Sequence, residues 1–224
     1  MNYLAHLYLS DSDPGSLVGS LMGDFVKGRV GDEFEPSLRQ GILLHRRVDA
    51  FTDSHPLTRR SKARISPQFR RYAGILVDIF FDHFLATEWS RWSDTPLDEF
   101  ASAVYGILGE RQETFPERMQ RSMHYMVSNR LLQSYCDIEG VHHALRGIET
   151  RLRRPSRLGD SVSELEENYR LFRSDFEQFF PVLIDYVETE NRQFYITGLR
   201  ERMGSCSERE MIPGATAARK RDDR

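Results

Sequence analysis

A chain of 224 residues with a formal net charge of −3, 29% charged and 39% hydrophobic residues suits one soluble globular domain, or one domain with a tail, and a substantial core. So small a net charge argues against generic nucleic-acid binding, and no apolar run reaches the roughly 18 residues of a membrane span. The opening MNYLAHLYLS lacks the basic start and long apolar stretch of a secretory signal, and Cys136 and Cys206 lie far apart, so free thiols in a reducing cytoplasm are expected.

No run alternates as a strand does between turn signals, so the chain reads as all-α. A short helix is predicted over Tyr3–Leu9, ended by SDSDPG, which caps a second over Gly15–Lys27. Gly28 and Gly31 break the chain. A third helix runs over Pro36–Thr52 with proline in its first turn, and DSHP ends it. A long helix is expected from Pro67 to about Trp92, then others over Leu97–Leu108, Pro116–Ser134, Ile138–Arg153 and Val162–Glu190. Pro181 should kink or divide the last. Periodicity fades after Arg200. The division is therefore one helical domain over residues 1–200 and a flexible tail over 201–224.

GILVDIFFDHFLA, Gly74–Ala86, is apolar around nearly its whole circumference, as a buried helix is, yet carries Asp78, Asp82 and His83. Ionised carboxylates in such a place are costly unless paired or bound to a cation. The theme recurs in GILLHRRVDAFTD, where His45, Asp49 and Asp53 form a row with four-residue spacing beside the stripe Leu44, Val48 and Phe51. Histidine and aspartate one turn apart can reach a single metal ion. Asp24 in LMGDFVKG and His6 in YLAHLYL also sit among apolar neighbours. The mixed nitrogen and oxygen set suits Mn²⁺, Fe²⁺, Zn²⁺ or Mg²⁺, and its excess of carboxylates favours a hydrolytic centre. Any one of these residues alone reads more readily as a core polar group satisfied by a hydrogen bond; the set together carries the metal reading. Asp53 also suits a helix end, and His55, His124, His142 and His143 read as surface or turn residues.

NYLAHLYLS, GSLMGDFVKG, GILLHRRVDAFTD and DIFFDHFLATEWS, in that order from Asn2 to about Trp92, resemble the acyl carrier protein phosphodiesterases, also called acyl carrier protein hydrolases. YRLFRSDFEQFFPVLIDY is similar to that family's last helix. The resemblance implies an all-α, single-domain helical bundle related to the HD-type metal-dependent phosphohydrolases. It also implies hydrolysis of the phosphodiester joining 4′-phosphopantetheine to a serine of holo-acyl carrier protein in lipid metabolism, with a divalent cation, Mn²⁺ ahead of Mg²⁺ or Fe²⁺. The HD pair itself departs from pattern: here His45 stands with Asp49, and Asp82-His83 is reversed.

On this reading His45, Asp49, Asp82 and His83 are expected as core metal ligands, with Asp24 and His6 completing or flanking the centre. Asp78 would orient water or a ligand histidine, and Arg46 and Lys27 would neutralise phosphate charge. A solvated helix face accounts equally well for Arg46. RRSKARISPQFRR, Arg59–Arg71, holds six basic residues and no acid, and would dock an acidic carrier protein, with RLRRPSR at 151–157 extending the patch. An ordinary solvated loop is the alternative. Competing functions are a phosphohydrolase acting on a nucleotide or other small phosphoester, a helical iron protein, and a non-catalytic binder of the carrier.

Overall fold

The structure, a computed structural model, describes residues 1–152 and 156–207, with side chains described through residue 192. The helices are α1 (Tyr3–Leu9), α2 (Pro14–Met22), α3 (Pro36–Ser54), α4 (Pro56–Arg64), α5 (Ala73–Thr87), α6 (Leu97–Arg111), α7 (Glu117–Ser128), α8 (Leu131–Ser134), α9 (Ile138–Glu149), α10 (Val162–Glu167) and α11 (Tyr169–Ser207). No strand occurs among the described residues, in keeping with the all-α reading. None of the helices among them is long and apolar enough to cross a membrane.

The chain divides into two compact units, Met1–Ile184 and Asp185–Arg224. The first holds α1 to α10 and the opening turns of α11. The described part of the second is the remainder of α11, with an Arg192–Glu188 pair one turn apart at 3.4 Å. The helix runs on to Ser207, past the expected boundary at Arg200. Most of the expected tail, 208–224, and the side chain of Cys206 lie outside the described residues, as do Arg153 and Arg154 of the second basic run.

α5 is the centre of the first unit. Its Leu76, Val77, Phe80, Phe81, Phe84 and Leu85 are fully buried. Phe172, Phe176, Phe179 and Phe180 of α11 are equally buried. Phe80 meets Phe172 edge-on at 5.3 Å between ring centres, and Phe81 meets Phe176 at 5.7 Å. Burying one such side chain contributes about 1.5–3 kcal/mol. Helix propensities differ among ordinary residues by at most about 0.7 kcal/mol. Packing against α11 therefore decides the position of α5.

Helix starts follow their sequence signals. Pro14, Pro36 and Pro56 open α2, α3 and α4, and Asp13 accepts the Ser16 N–H at 3.0 Å. Other boundaries differ from expectation. α2 stops at Met22, five residues before Lys27. The helix expected from Pro67 breaks into a 3-10 turn at Arg70–Tyr72, then α5, then another at Trp89–Arg91. Arg130, with φ at +46°, separates α7 from α8 inside the segment read as one helix. The expected Val162–Glu190 helix divides at Asn168, whereas Pro181 lies inside α11 without dividing it.

α4 is the largest departure, because charge concealed a helix inside the basic run. Buried Asp175 on α11 accepts Arg60 Nε at 2.8 Å and Ser61 Oγ at 2.6 Å, and also pairs with Arg64. Lys62 pairs with Asp53. Three of the six bases expected to face a partner are thus engaged inside this chain.

α1 is only two turns long and its N-terminus has no side-chain cap of its own. Asp82 of α5 supplies the missing acceptor, taking the N–H groups of Leu4 at 2.7 Å and Ala5 at 3.2 Å. Burial raises the Asp82 carboxyl, against the opposing pull of those two N–H groups and the amino terminus, to about 7. The folded chain then holds this proton between the ordinary aspartate range and about pH 7, where the unfolded chain has lost it. Stability contributed at Asp82 consequently falls as pH rises through that window. Asp82→Asn should flatten the decline of the thermal midpoint across that window. Identical pH profiles for variant and parent would show that Asp82 does not carry it.

Candidate metal centre

Three helices deliver the centre. Ser20 Oγ of α2 donates to the His6 carbonyl of α1 at 3.0 Å. α2 and α3 pack backbone to backbone: a Cβ on Gly19 would lie 2.1 Å from the Leu38 carbonyl oxygen, and one on Gly41 would lie 2.2 Å from that of Ser16. At the end of α2, a Cβ on Gly23 would meet the His45 ring at 2.3 Å. Glycine at these positions lets α3 bring His45 beside α1.

His6 and His45 are both buried, and their rings stack with centres 3.9 Å apart and planes 17° from parallel. One carboxylate spans them. Asp49 Oδ1 lies 3.1 Å from His6 Nε2, and Asp49 Oδ2 lies 3.2 Å from His45 Nε2. Asp24 Oδ1 stands 3.5 Å from His45 Nε2. Ligand atoms of His6, His45 and Asp49 all fall within 4.8 Å of one another.

The electrostatics are polarised. Burial, reinforced by the neighbouring His45, lowers His6 to about 4. Burial also opposes protonation of His45, but Asp24 and Asp49 outweigh it and raise that group to about 9. Burial opposes ionisation of Asp49 as well, yet His45 and His6 hold its carboxyl well below the usual range. Two imidazole nitrogens and a carboxylate oxygen aimed at one small volume make a donor set for a divalent metal of intermediate softness, so these residues fit such an ion. Both Nδ1 atoms are buried and lack a hydrogen-bond partner among the described residues.

The other expected site residues divide by position. Asp24 joins the group from the turn after α2, half exposed beside His45. Asp78 lines the same cavity and accepts from the amino-terminal nitrogen at 3.1 Å, which itself lies 3.6 Å from Asp49. Asp82 and His83 are not brought to the group. Asp82 is bound to the start of α1. His83, pointing elsewhere around α5, places Nδ1 at 2.7 Å from the Tyr135 carbonyl and Nε2 at 3.0 Å from the Tyr169 hydroxyl. Their expected place among the core ligands is corrected by these contacts. Arg46 is also engaged elsewhere. It donates to the carbonyls of Val26 and Gly28, both at 2.7 Å, and so ties down the loop behind Asp24. Lys27 is exposed on that loop.

A cavity of about 850 Å³ opens beside the group. Asp24, Asp49, Asp53 and Asp78 line one side. The other side is formed by α7 and the end of α9, including Arg118, Arg121, Ser122, Tyr125 and Arg151. The α7 contributors went unnoticed in the sequence, although positions 118, 121, 122 and 125 trace one helical face beside the buried stripe of Met119, Met123 and Met126.

Mn²⁺ should stabilise the full-length chain, by about 2.7 kcal/mol at a hundred times its dissociation constant. In thermal melts, His45→Ala should lose that response and His83→Gln, remote from the group, should keep it. An undiminished response in His45→Ala, or its loss in His83→Gln, would overturn the assignment.

Comparison with known proteins agrees with the ordered motifs. The family model for acyl carrier protein phosphodiesterase matches residues 1–183, ending one residue short of the first compact unit. A protein of that name from Serratia proteamaculans (strain 568) is 35% identical over 185 residues, covering 82% of this chain and 96% of the relative. Namesakes from Enterobacter sp. (strain 638) and Photorhabdus laumondii are each 34% identical, covering 86% and 87% of this chain and 100% and 98% of the relatives. No solved structure gives a significant match. With its motifs in order and its relatives aligned nearly end to end, this chain belongs to the acyl carrier protein phosphodiesterase family.

Proposed function

We propose that the protein hydrolyses the phosphodiester between 4′-phosphopantetheine and a serine of holo-acyl carrier protein. The observation that carries this reading is the conjunction of family membership with a buried two-histidine, one-carboxylate group opening onto a cavity. Water adds to phosphorus and the bond from phosphorus to the serine oxygen breaks. The serine hydroxyl regains a proton, leaving apo-carrier protein and free phosphopantetheine.

His6, His45 and Asp49 would hold a divalent cation, with Asp24 placed to complete the set. Mn²⁺ suits these donors, and such an ion supplies Lewis acidity toward water and a phosphoryl oxygen. The chain's own groups do the rest. Asp49 stands between the two imidazoles, 3.1 and 3.2 Å from their Nε2 atoms, and would share the ion with them. Asp78, which lines the cavity, would orient the attacking water. Kinship with the HD-type phosphohydrolases forms part of the reading, supported by the His–Asp character of the centre.

An acidic carrier protein implies a cytoplasmic setting and a basic docking surface. Arg59, Arg70 and Arg71 remain exposed in the basic stretch and would serve there, while its Arg60, Lys62 and Arg64 are paired internally. Full-length protein incubated with holo-acyl carrier protein and Mn²⁺ should remove the prosthetic arm, seen by mass spectrometry. Its apparent affinity should weaken steeply with salt. His45→Ala should abolish turnover while keeping the helical circular-dichroism signal. An intact arm after prolonged incubation, or full activity in the variant, would refute the reading.

A further inference from the structure

The cavity that Asp24 and Asp49 line also carries a wall of guanidinium groups. Arg118, Arg121 and Arg151 make up that wall. Arg121 is paired with Glu117. Arg118 is exposed and has no ion pair or side-chain hydrogen bond among the described residues. Arg151 is anchored: Nε donates to the Gly147 carbonyl at 3.0 Å and Nη1 to Ser122 Oγ at 3.3 Å. Its guanidinium lies 5.9 Å from the Tyr125 ring centre. These bonds, with a contact to the Tyr3 hydroxyl, leave part of the five-donor guanidinium of Arg151 for a ligand.

The wall is joined to the centre through α1. Tyr3, one turn before His6, lines the same cavity. Burial raises its hydroxyl, as does Asp24, while Arg151 and Ser122 pull the other way. Tyr3 is therefore within electrostatic reach of both sides. α7 and α9 are held together beneath the wall, where a Cβ on Gly147 would come within 2.5 Å of the Tyr125 hydroxyl.

We propose that Arg118 and Arg151, framed by Ser122 and Tyr125, form a subsite that grips the phosphoryl oxygens of the phosphopantetheinyl substrate. The inference rests on the function proposed above and names how that substrate is recognised. Guanidiniums with unused N–H groups, in a cavity otherwise lined by carboxylates, mark the place where an oxyanion would be held. The pantetheine arm carries amides and a thiol, so its phosphate is the single group that a guanidinium would hold through paired, charge-assisted bonds. Arg118 and Arg151 are exposed as well as lining the cavity, and titration with the free ligands separates a grip on phosphate from contact with a carrier's acidic surface.

The test is calorimetric titration of the full-length chain with 4′-phosphopantetheine, pantetheine and inorganic phosphate. The parent should bind phosphopantetheine more tightly than pantetheine. Arg118→Gln combined with Arg151→Gln should weaken phosphopantetheine at least about tenfold and leave pantetheine unchanged. The double lysine variant should recover part of the loss, and the Mn²⁺ response of all variants should match the parent, which confirms folding. If the glutamine variant weakens inorganic phosphate while the parent binds phosphopantetheine no better than phosphate, the anion subsite stands and the proposed substrate falls. Unchanged phosphopantetheine binding in the glutamine variant would overturn the subsite, and so would an effect confined to intact carrier protein.

Discussion

The structure turns on one carboxylate. Asp49 reaches two stacked imidazoles with its two oxygens, at 3.1 and 3.2 Å, and no single proton satisfies that arrangement evenly. His45 is driven toward the charged form while His6, buried beside it, is driven toward the neutral one. A divalent ion held by His6, His45 and Asp49, as proposed, would remove the conflict. The rest of the first unit positions these three side chains.

That positioning depends on close backbone approach and on one buried acid. α3 carries His45 and Asp49 to α1 because Gly19, Gly23 and Gly41 remove the Cβ atoms that would hold α2 and α3 apart. α1 is too short to be stable by itself. It is fixed by Asp82 at its first N–H groups and by Leu4, Ala5 and Leu7, which are almost completely buried. Asp82 therefore matters to the centre indirectly. It sets where His6 stands, and α5 in turn is set by the phenylalanines of α11.

How much of this was legible in the residues depended on whether a signal was local. Proline and aspartate caps marked the starts of α2 and α3, and the four-residue spacing of His45 and Asp49 placed both on one face. The same spacing logic failed at Asp82 and His83. An acid in an apolar helix has two remedies, a cation or a set of N–H donors, and sequence does not show that α1 sets its first turn against α5. α4 was concealed because four of its nine residues are basic; Asp175, more than a hundred residues away, holds Arg60 and Arg64, and Asp53 holds Lys62, while Arg59 stays exposed. Arg46 looked like a phosphate ligand until the carbonyls of Val26 and Gly28 claimed it. The face of α7 that lines the cavity was readable in principle, since it flanks the helix's buried methionine stripe.

The claim on which the chemistry depends is that His6, His45 and Asp49 share one ion. Electron spin-echo spectroscopy of Mn²⁺ bound to the full-length chain addresses it at the level of individual donors. The account predicts modulation from two imidazole nitrogens, one lost in His6→Ala and the other in His45→Ala. Bound Mn²⁺ without nitrogen coupling, or with both couplings intact in either variant, would contradict it.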